Sequence, residues 1–309
     1  MTKLWRKKVV LAKVEGSYGQ DAAPGAANAI QAVNVSLSPM QGKDIDRELD
    51  TPYFGATGTL AADLHQTISF KVELAGSGVA GTPPGWSALM QACATAEVIT
   101  ANTSAAYNPI SDQPSSVTIY LNIDGTLYKL PGSRGTATFE IAASGIPYIN
   151  FEFTGLYARP ADVAAVTPDF SAFRTPRVAS NANTPVFTLG GSSFVLRSFS
   201  MAMGNEIEPQ FLIGEEEILI ADSENTIQAQ VRATALSTLN PFQIAEDRGT
   251  LALVIEHGTT AGDIITLNVP NAQMQRPEGL ENGQGRKEWP LRLVPLPTAG
   301  NDQWTLTLT

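Results

Sequence analysis

Apolar and polar residues alternate along most of this chain. In QTISFKVEL (66–74), Ile68, Phe70, Val72 and Leu74 share one face while Ser69, Lys71 and Glu73 share the other. That period of two marks a strand buried on one side only. IQAVNVSLS (30–38) likewise puts Val33, Val35 and Leu37 on one face. VTIYLNI (117–123) alternates until Asp124-Gly125, a two-residue hairpin signal. TFEIA (138–142) and YINFEFTG (148–155) then flank a Ser144-Gly145 turn, with Ile149, Phe151 and Phe153 on one face. Helical spacing occurs twice. PPGWSALMQACATAEV (83–98) opens on proline and lines up Trp86, Leu89, Met90 and Cys93, which predicts a helix over that span, and NPFQIAED (240–247) predicts a shorter one.

The second half of the chain repeats this order. FVLRSFSMAM (194–203) and NTIQAQVRA (225–233) precede the short helix. TLALVIEHG (250–258), DIITLNV (263–269), WPLRLVPL (289–296) and QWTLTLT (303–309) follow it. GKDID (42–46) aligns with GNEIE (204–208), and TISFKVE (67–73) with TIQAQVR (226–232), at nearly the same displacement. Two matches in one order suggest duplication of a single unit. Residues 161–185 have no period and are rich in proline and small polar residues, the composition of a linker. The expected division is therefore a first domain over 1–160, a linker over 161–185 and a second domain over 186–309, in a mainly β chain with one flanking helix per domain.

Composition narrows what such a chain does. It has 309 residues, 43% hydrophobic and 16% charged, enough apolar material for a sizeable core. Its 26 Gly and 20 Pro fall without period, as in a protein of many turns. The single Cys93 excludes an internal disulfide framework and a cysteine-rich zinc site; on the apolar stripe it reads as a packed thiol. No apolar run approaches the ~20 residues of a membrane helix, and VVLA is too short for the core of a signal peptide. The net charge is -10, yet the first fifteen residues carry Lys3, Arg6, Lys7, Lys8 and Lys13 against Glu15. The acidic body would repel a nucleic-acid backbone. The basic arm, through Lys3, Arg6, Lys7 and Lys8, can meet acidic surface on a neighbouring copy or stay solvated as a mobile end.

Catalytic and metal-binding patterns are missing. His65 opens a strand and His257 precedes a turn at Gly258; they form no metal-spaced pair and read as surface or strand-end residues. The serines sit in turn sequences rather than a G-x-S-x-G elbow, and no phosphate-binding glycine loop is present. Carboxylate pairs exist, but no cluster of aromatics offers a sugar platform. No cofactor, metal or catalytic residue is expected.

Three stretches carry a family resemblance. VELAGSGVAGTPPGWSALMQACATAE (72–97), KVEGSYGQDAAPGAANAI (13–30) and GTLYKLPGSRGTATFEIAASGIPYINFEFTG (125–155) resemble the tail tube proteins of long-tailed, non-contractile bacteriophages. The likeness spans most of residues 9–157; the second half shares only the strand order. The resemblance implies β-sandwich or barrel domains flanked by a helix. It implies copies joined edge to edge into trimeric, pseudo-hexameric rings, stacked into a hollow tube through which DNA passes without specific binding. Other tail proteins would meet the tube ends, and assembly in the host cytoplasm would end in the virion. The tube of a contractile injection machine has the same fold, and a carbohydrate-binding β-sandwich adhesin is the alternative from another class.

The same resemblance gives the acidic stretches a role. In KDIDRELD (43–50), a strand would turn Asp44, Asp46, Glu48 and Asp50 to one face, with Glu206 and Glu208 at the matching places. Such a face could line the lumen and keep DNA from adhering, contact a neighbour's basic arm, or lie on the outer surface. TPYFGATGTLAADLH (51–65) reads as a long loop reaching the adjoining ring, with Tyr53 and Phe54 as apolar anchors. GEEEILIADSE (214–224), with Glu215, Glu216 and Glu217, reads as the loop at the corresponding place.

Overall fold

A computed structural model describes residues 2–309. The first half contains β1 (Lys8–Val14), β2 (Ala29–Ile30), β3 (Ala32–Asp46), β4 (Thr59–Glu73), α1 (Ser87–Gln91), β5 (Thr95–Thr100), β6 (Ser104–Pro109), β7 (Val117–Ile123), β8 (Thr126–Ala142), β9 (Tyr148–Leu156) and β10 (Ala161–Asp162). The second contains β11 (Val186–Leu189), β12 (Ser192–Ser193), β13 (Leu196–Ala202), β14 (Asn205–Leu212), β15 (Glu215–Ser223) and β16 (Thr226–Arg232). Then come α2 (Pro241–Glu246), β17 (Thr250–His257), β18 (Ile265–Met274), β19 (Glu281–Gly283), β20 (Arg286–Pro295) and β21 (Thr305–Leu308). The protein is mainly β, and every ladder is antiparallel.

One pairing scheme occurs twice. In the first half β1 pairs with β7, β7 with β8, β8 with β9, β9 with β4, β4 with β3, and the start of β8 with β10. In the second half β11, β17, β18, β20, β16, β13 and β21 take the same places in the same order. Both schemes bend at one long strand. β8 pairs with β7 over Thr126–Ser133 and with β9 over Arg134–Glu140, so it passes from one sheet to the other. The bend falls at Gly132, whose φ of 61° lies in the left-handed region where L side chains are disfavoured.

The alternation read in the sequence closes the space between these sheets. Ile68, Phe70 and Val72 of β4 and Ile149, Phe151 and Phe153 of β9 face Val10, Ile119, Leu121 and Leu130 of the other sheet. Phe70, Phe151 and Phe153 pack together with ring centroids 5.7–6.1 Å apart, Phe153 stacked on each of the other two. A single apolar cluster runs on into the second half through Phe139, Phe199, Met201, Leu291 and Trp304. Asp124 and Gly125 both take positive φ, as the β7–β8 hairpin requires. The stretch between the halves adds Phe173 to the margin of the core and buries Ala179.

Several sequence expectations change. Val33 does not share a face with Val35 and Leu37: Asn34 takes a φ of 56°, and the register shift there sets Val33 opposite Lys71 but Leu37 opposite Ile68. The loop expected over 51–65 ends at Thr59, where β4 begins, so His65 lies within that strand rather than opening one. The helix expected over 83–98 is confined to Ser87–Gln91: Ala94 takes a φ of 56°, and Thr95–Thr100 pairs with β6 instead. Residues 215–223, expected in a loop, form β15, because the actual turn is at Ile213-Gly214. The acidic ladder expected through Asp50 stops at Asp46. There the Asp46 carboxylate accepts hydrogen bonds from the Glu48 amide at 3.2 Å and the Thr57 hydroxyl at 2.5 Å, and Glu48 takes a φ of 45°. Glu48 and Asp50 therefore leave the strand and its alternation.

Candidate functional site

The two halves meet edge to edge. β8 pairs with β13, so that Thr138, Phe139, Glu140, Ile141 and Ala142 stand opposite Ala202, Met201, Ser200, Phe199 and Ser198. The result is one continuous sheet in the order β3-β4-β9-β8-β13-β16-β20-β18. Phe139, Ile141, Phe199 and Met201 are buried in the core beneath the join. Glu140, Ser198, Ser200, Gln228 and Arg292 line a groove on its other, polar face.

This sheet ends at two edges that lack a ladder partner among the described residues. One is β3, which pairs with β4 alone. The other begins beyond Met274. The Gln275 amide still donates to the Arg292 carbonyl, and pairing resumes at Glu281 opposite Glu288. Between them residues 276–280 leave the ladder, two residues longer than the stretch of β20 they pass. Glu278 there holds Arg292 at 2.8 Å and Arg276 at 3.2 Å. Leu280 is 59% exposed. Where pairing resumes the segment is anchored. Buried Glu288 accepts two hydrogen bonds from Arg197, at 2.6 and 2.7 Å, and one from Gln230 at 2.7 Å. Arg197 holds the Glu288 carboxyl below its ordinary range. Any side chain at Gly283 would collide with that carboxylate.

Each half also carries an arm, the far end of its central hairpin. Gly42 and Gly204, the first residues of the two aligned sequence matches, have positive φ of 150° and 63°. A Cβ there would lie 2.5 Å from the Ala62 carbonyl oxygen or 2.2 Å from that of Glu224, so only glycine allows the strands to bend into an arm. The second arm, β14–β15, crosses the join and lies against β4, β8 and β9. Ile218 is buried there, and Phe211 meets the His65 ring at 6.1 Å. Arg134 is the hinge of the contact. It is 7% exposed, donates to Glu217 at 2.5 Å, to the Ile218 carbonyl at 2.9 Å and to the Pro114 carbonyl at 3.1 Å, and lies 4.7 Å over the Tyr18 ring. The Tyr18 oxygen accepts from the Ile218 amide, and burial pushes its hydroxyl up to about 12. The first arm has no such support. Met40, Ile45, Leu49 and Leu60 are exposed along it, Tyr53 is 82% exposed at its tip, and Phe54 is fully so.

The remaining expected residues distribute as follows. Asp44 and Asp46 stand exposed on the first arm, Glu206 and Glu208 on the second, and Glu48 and Asp50 in the loop. Glu215 and Glu216 are exposed near the second arm's turn, whereas Glu217 is tied to Arg134. In the basic arm, Lys3 pairs with Asp162 and Lys7 with Asp124, each at 3.3 Å, inside the same chain. Lys8 begins β1, lies 3.7 Å from the Trp5 ring and donates to the Val35 carbonyl of β3 at 3.0 Å; Arg6 is exposed. Sequence reasoning missed Arg134 and the Arg197–Glu288 pair. Arg134 carries a local sign, a charge interrupting the apolar and small residues of LPGSRGTATFE (130–140). The partners Arg197 and Glu288 are too far apart in sequence to show one.

Cys93 is fully buried, and burial pushes its thiol well up. Among the described residues no cluster of His, Cys, Asp and Glu could hold a metal, and no helix is long and apolar enough to cross a membrane. His257 corrects the surface reading: it is 3% exposed, with its Nδ1 2.9 Å from the Thr184 hydroxyl. Burial holds it below its ordinary 6.5, outweighing a hydrogen bond to the Arg177 backbone that acts the other way. The unfolded chain therefore takes up the proton first as pH falls. Stability from this group is complete above the unfolded value and is lost as pH drops through the lower folded one. Thermal melts from pH 7.5 to 5 are expected to show a decline that His257→Gln flattens; the same slope in both proteins would refute the assignment.

A family model described as phage tail tube protein matches residues 5–297. No curated protein matches the sequence.

Proposed function

The chain belongs to the phage tail tube protein family, and on that premise we propose that its copies close into rings by extending the continuous sheet from one chain to the next. Its role is structural, in the virion, where copies assemble with one another into the tail tube. The observation that carries the ring reading is the join of β8 with β13. Within one chain, two repeats of a pairing scheme already meet edge to edge, and the composite sheet still ends in two open margins. An open margin leaves backbone donors and acceptors that a further strand satisfies, and closure removes the margin altogether. A head-to-tail contact that closes gives a ring.

In this reading each chain supplies two tube units, 1–160 and 186–309, linked by 161–185, and three chains complete a pseudo-hexameric ring. Rings stack into the tube of a non-contractile tail, assembled in the host cytoplasm. Other tail proteins meet its ends, and DNA passes through it during ejection. The polar face of the continuous sheet is the lumen wall, since its other face is committed to the core. Asp44, Asp46, Glu206 and Glu208, on the arms at the ends of that wall, keep the passage negative. DNA gains affinity for a surface through phosphates neutralised by cations, and here few are offered. Tyr53 and Phe54 reach the adjoining ring from the tip of the first arm; Glu48, Asp50, Glu215 and Glu216 border the same junction.

The test is negative-stain microscopy with sedimentation over rising protein concentration and salt. Rings or hollow rods are expected. Salt should favour them, because the screening length falls from about 10 Å at 0.1 M to about 3 Å at 1 M and subunits of net charge -10 then repel less. Duplex DNA mixed with the rods is expected to remain unbound even at low salt. A single compact particle under every condition would overturn the ring, and retention of DNA would overturn the assignment of the wall.

A further inference from the structure

We infer that residues 36–38 on the open margin of β3 pair with residues 279–281 of a second copy, in the register that β13 and β8 use inside the chain. The inference rests on the ring reading and specifies its contact. The repeated scheme fixes which residues correspond. Ile68 and Ile227 occupy one place in β4 and β16, opposite Leu37 and Met201. Ser36, opposite Ser69, therefore corresponds to Ser200, opposite Gln228. On the other margin, Tyr148 pairs with Glu73 and Glu140, as Glu288 pairs with Arg232 and Glu281. Glu281 therefore corresponds to Glu140. Within the chain Ser200 stands opposite Glu140 and Met201 opposite Phe139. Between copies, Ser36 then falls opposite Glu281 and Leu37 opposite Leu280.

Three features of the free chain fit this contact. Leu280 is 59% exposed, while Phe139 at the corresponding place is 2% exposed; the incoming β3 brings Leu37 to cover it. The slack of residues 276–280 is held by Glu278 with Arg276 and Arg292, exposed pairs of the kind that hold weakly, so straightening the segment meets little resistance. The first arm also gains a bed. β14–β15 lies across the join on β4, β8 and β9, so the arm of β3 and β4 lies on the neighbour's β16, β18 and β20, covering its exposed Met40, Ile45 and Leu60.

The experiment is a double variant, Ser36→Cys with Glu281→Cys. Directly opposed antiparallel residues have Cα atoms roughly 4.5–5.5 Å apart, within disulfide reach, and buried Cys93 stays out of the reaction. Oxidation of the assembled protein should give covalent dimers and trimers on a non-reducing gel, and either single variant should give none. Hydrogen exchange on the unmodified protein supplies an independent readout: amides in 36–38 and 276–283 should become protected on assembly. Rings that form without the covalent ladder and without that protection overturn this register and leave the ring reading standing. Unmodified protein that forms no rings overturns the ring reading itself.

Discussion

Replacing Arg134 with alanine is expected to lower unfolding stability by about 3 kcal/mol, the lower end of what breaking a buried ion pair costs. The lower end applies because the Glu217 side chain keeps 28% of its exposure. The substitution leaves that carboxylate and the carbonyls of Ile218 and Pro114 without their donor and removes the cation from the Tyr18 ring. Leaving buried acceptors unmet costs more than removing both sides of a contact. Arg134→Met keeps most of the packing volume and separates the two contributions, and Arg134→Met with Glu217→Gln should recover part of the loss. Urea unfolding measures all three. The loss should be local as well as global, since Arg134 ties the second arm across the join, so amides near Ile218 should exchange faster. A change below about 0.5 kcal/mol, the size of an ordinary surface substitution, would mean that Arg134 does not hold the arm.

Tyr53→Ser with Phe54→Ser is expected to have the opposite profile: stability of the free chain unchanged and tube length collapsed. Both side chains are exposed at the tip of the first arm and belong to neither apolar core cluster. Aromatic anchors in an interface commonly contribute about 2 kcal/mol or more each. Several arms meet at every junction between rings, so even partial losses multiply into failure to stack. Microscopy should then show isolated rings where the parent protein forms rods. Rods of ordinary length from the double variant would remove these residues from the junction. Loss of the rings as well would shift their role to the contact within a ring.

The strands with one buried face were legible along the chain. Ile68, Phe70 and Val72, or Ile149, Phe151 and Phe153, alternate so strictly that face and period follow without a fold in hand, and Asp124-Gly125 announces its hairpin. The repeat was legible in outline through GKDID and GNEIE, whose leading glycines prove to be the bends of the two arms. Thr95–Thr100 was not. Its residues directly follow a helical spacing that ends at Cys93, and the pairing with β6 that makes them a strand depends on the chain returning. The acidic residues misled for the related reason that alternation in KDIDRELD speaks only while the strand lasts, and Asp46 ends it through hydrogen bonds to Glu48 and Thr57.

Side-chain order along the chain thus determined the half-buried strands and hairpin turns of a mainly β protein and outlined a repeat, because periodicity and turn residues act over a few positions. Tertiary structure decided where β8 leaves one sheet for the other, that β8 and β13 join the halves into one sheet, that Arg134 and Arg197 find buried carboxylate and carbonyl partners, and which margins stay open. Those depend on contacts between residues far apart in sequence, whose geometry exists only once the backbone has closed around its core.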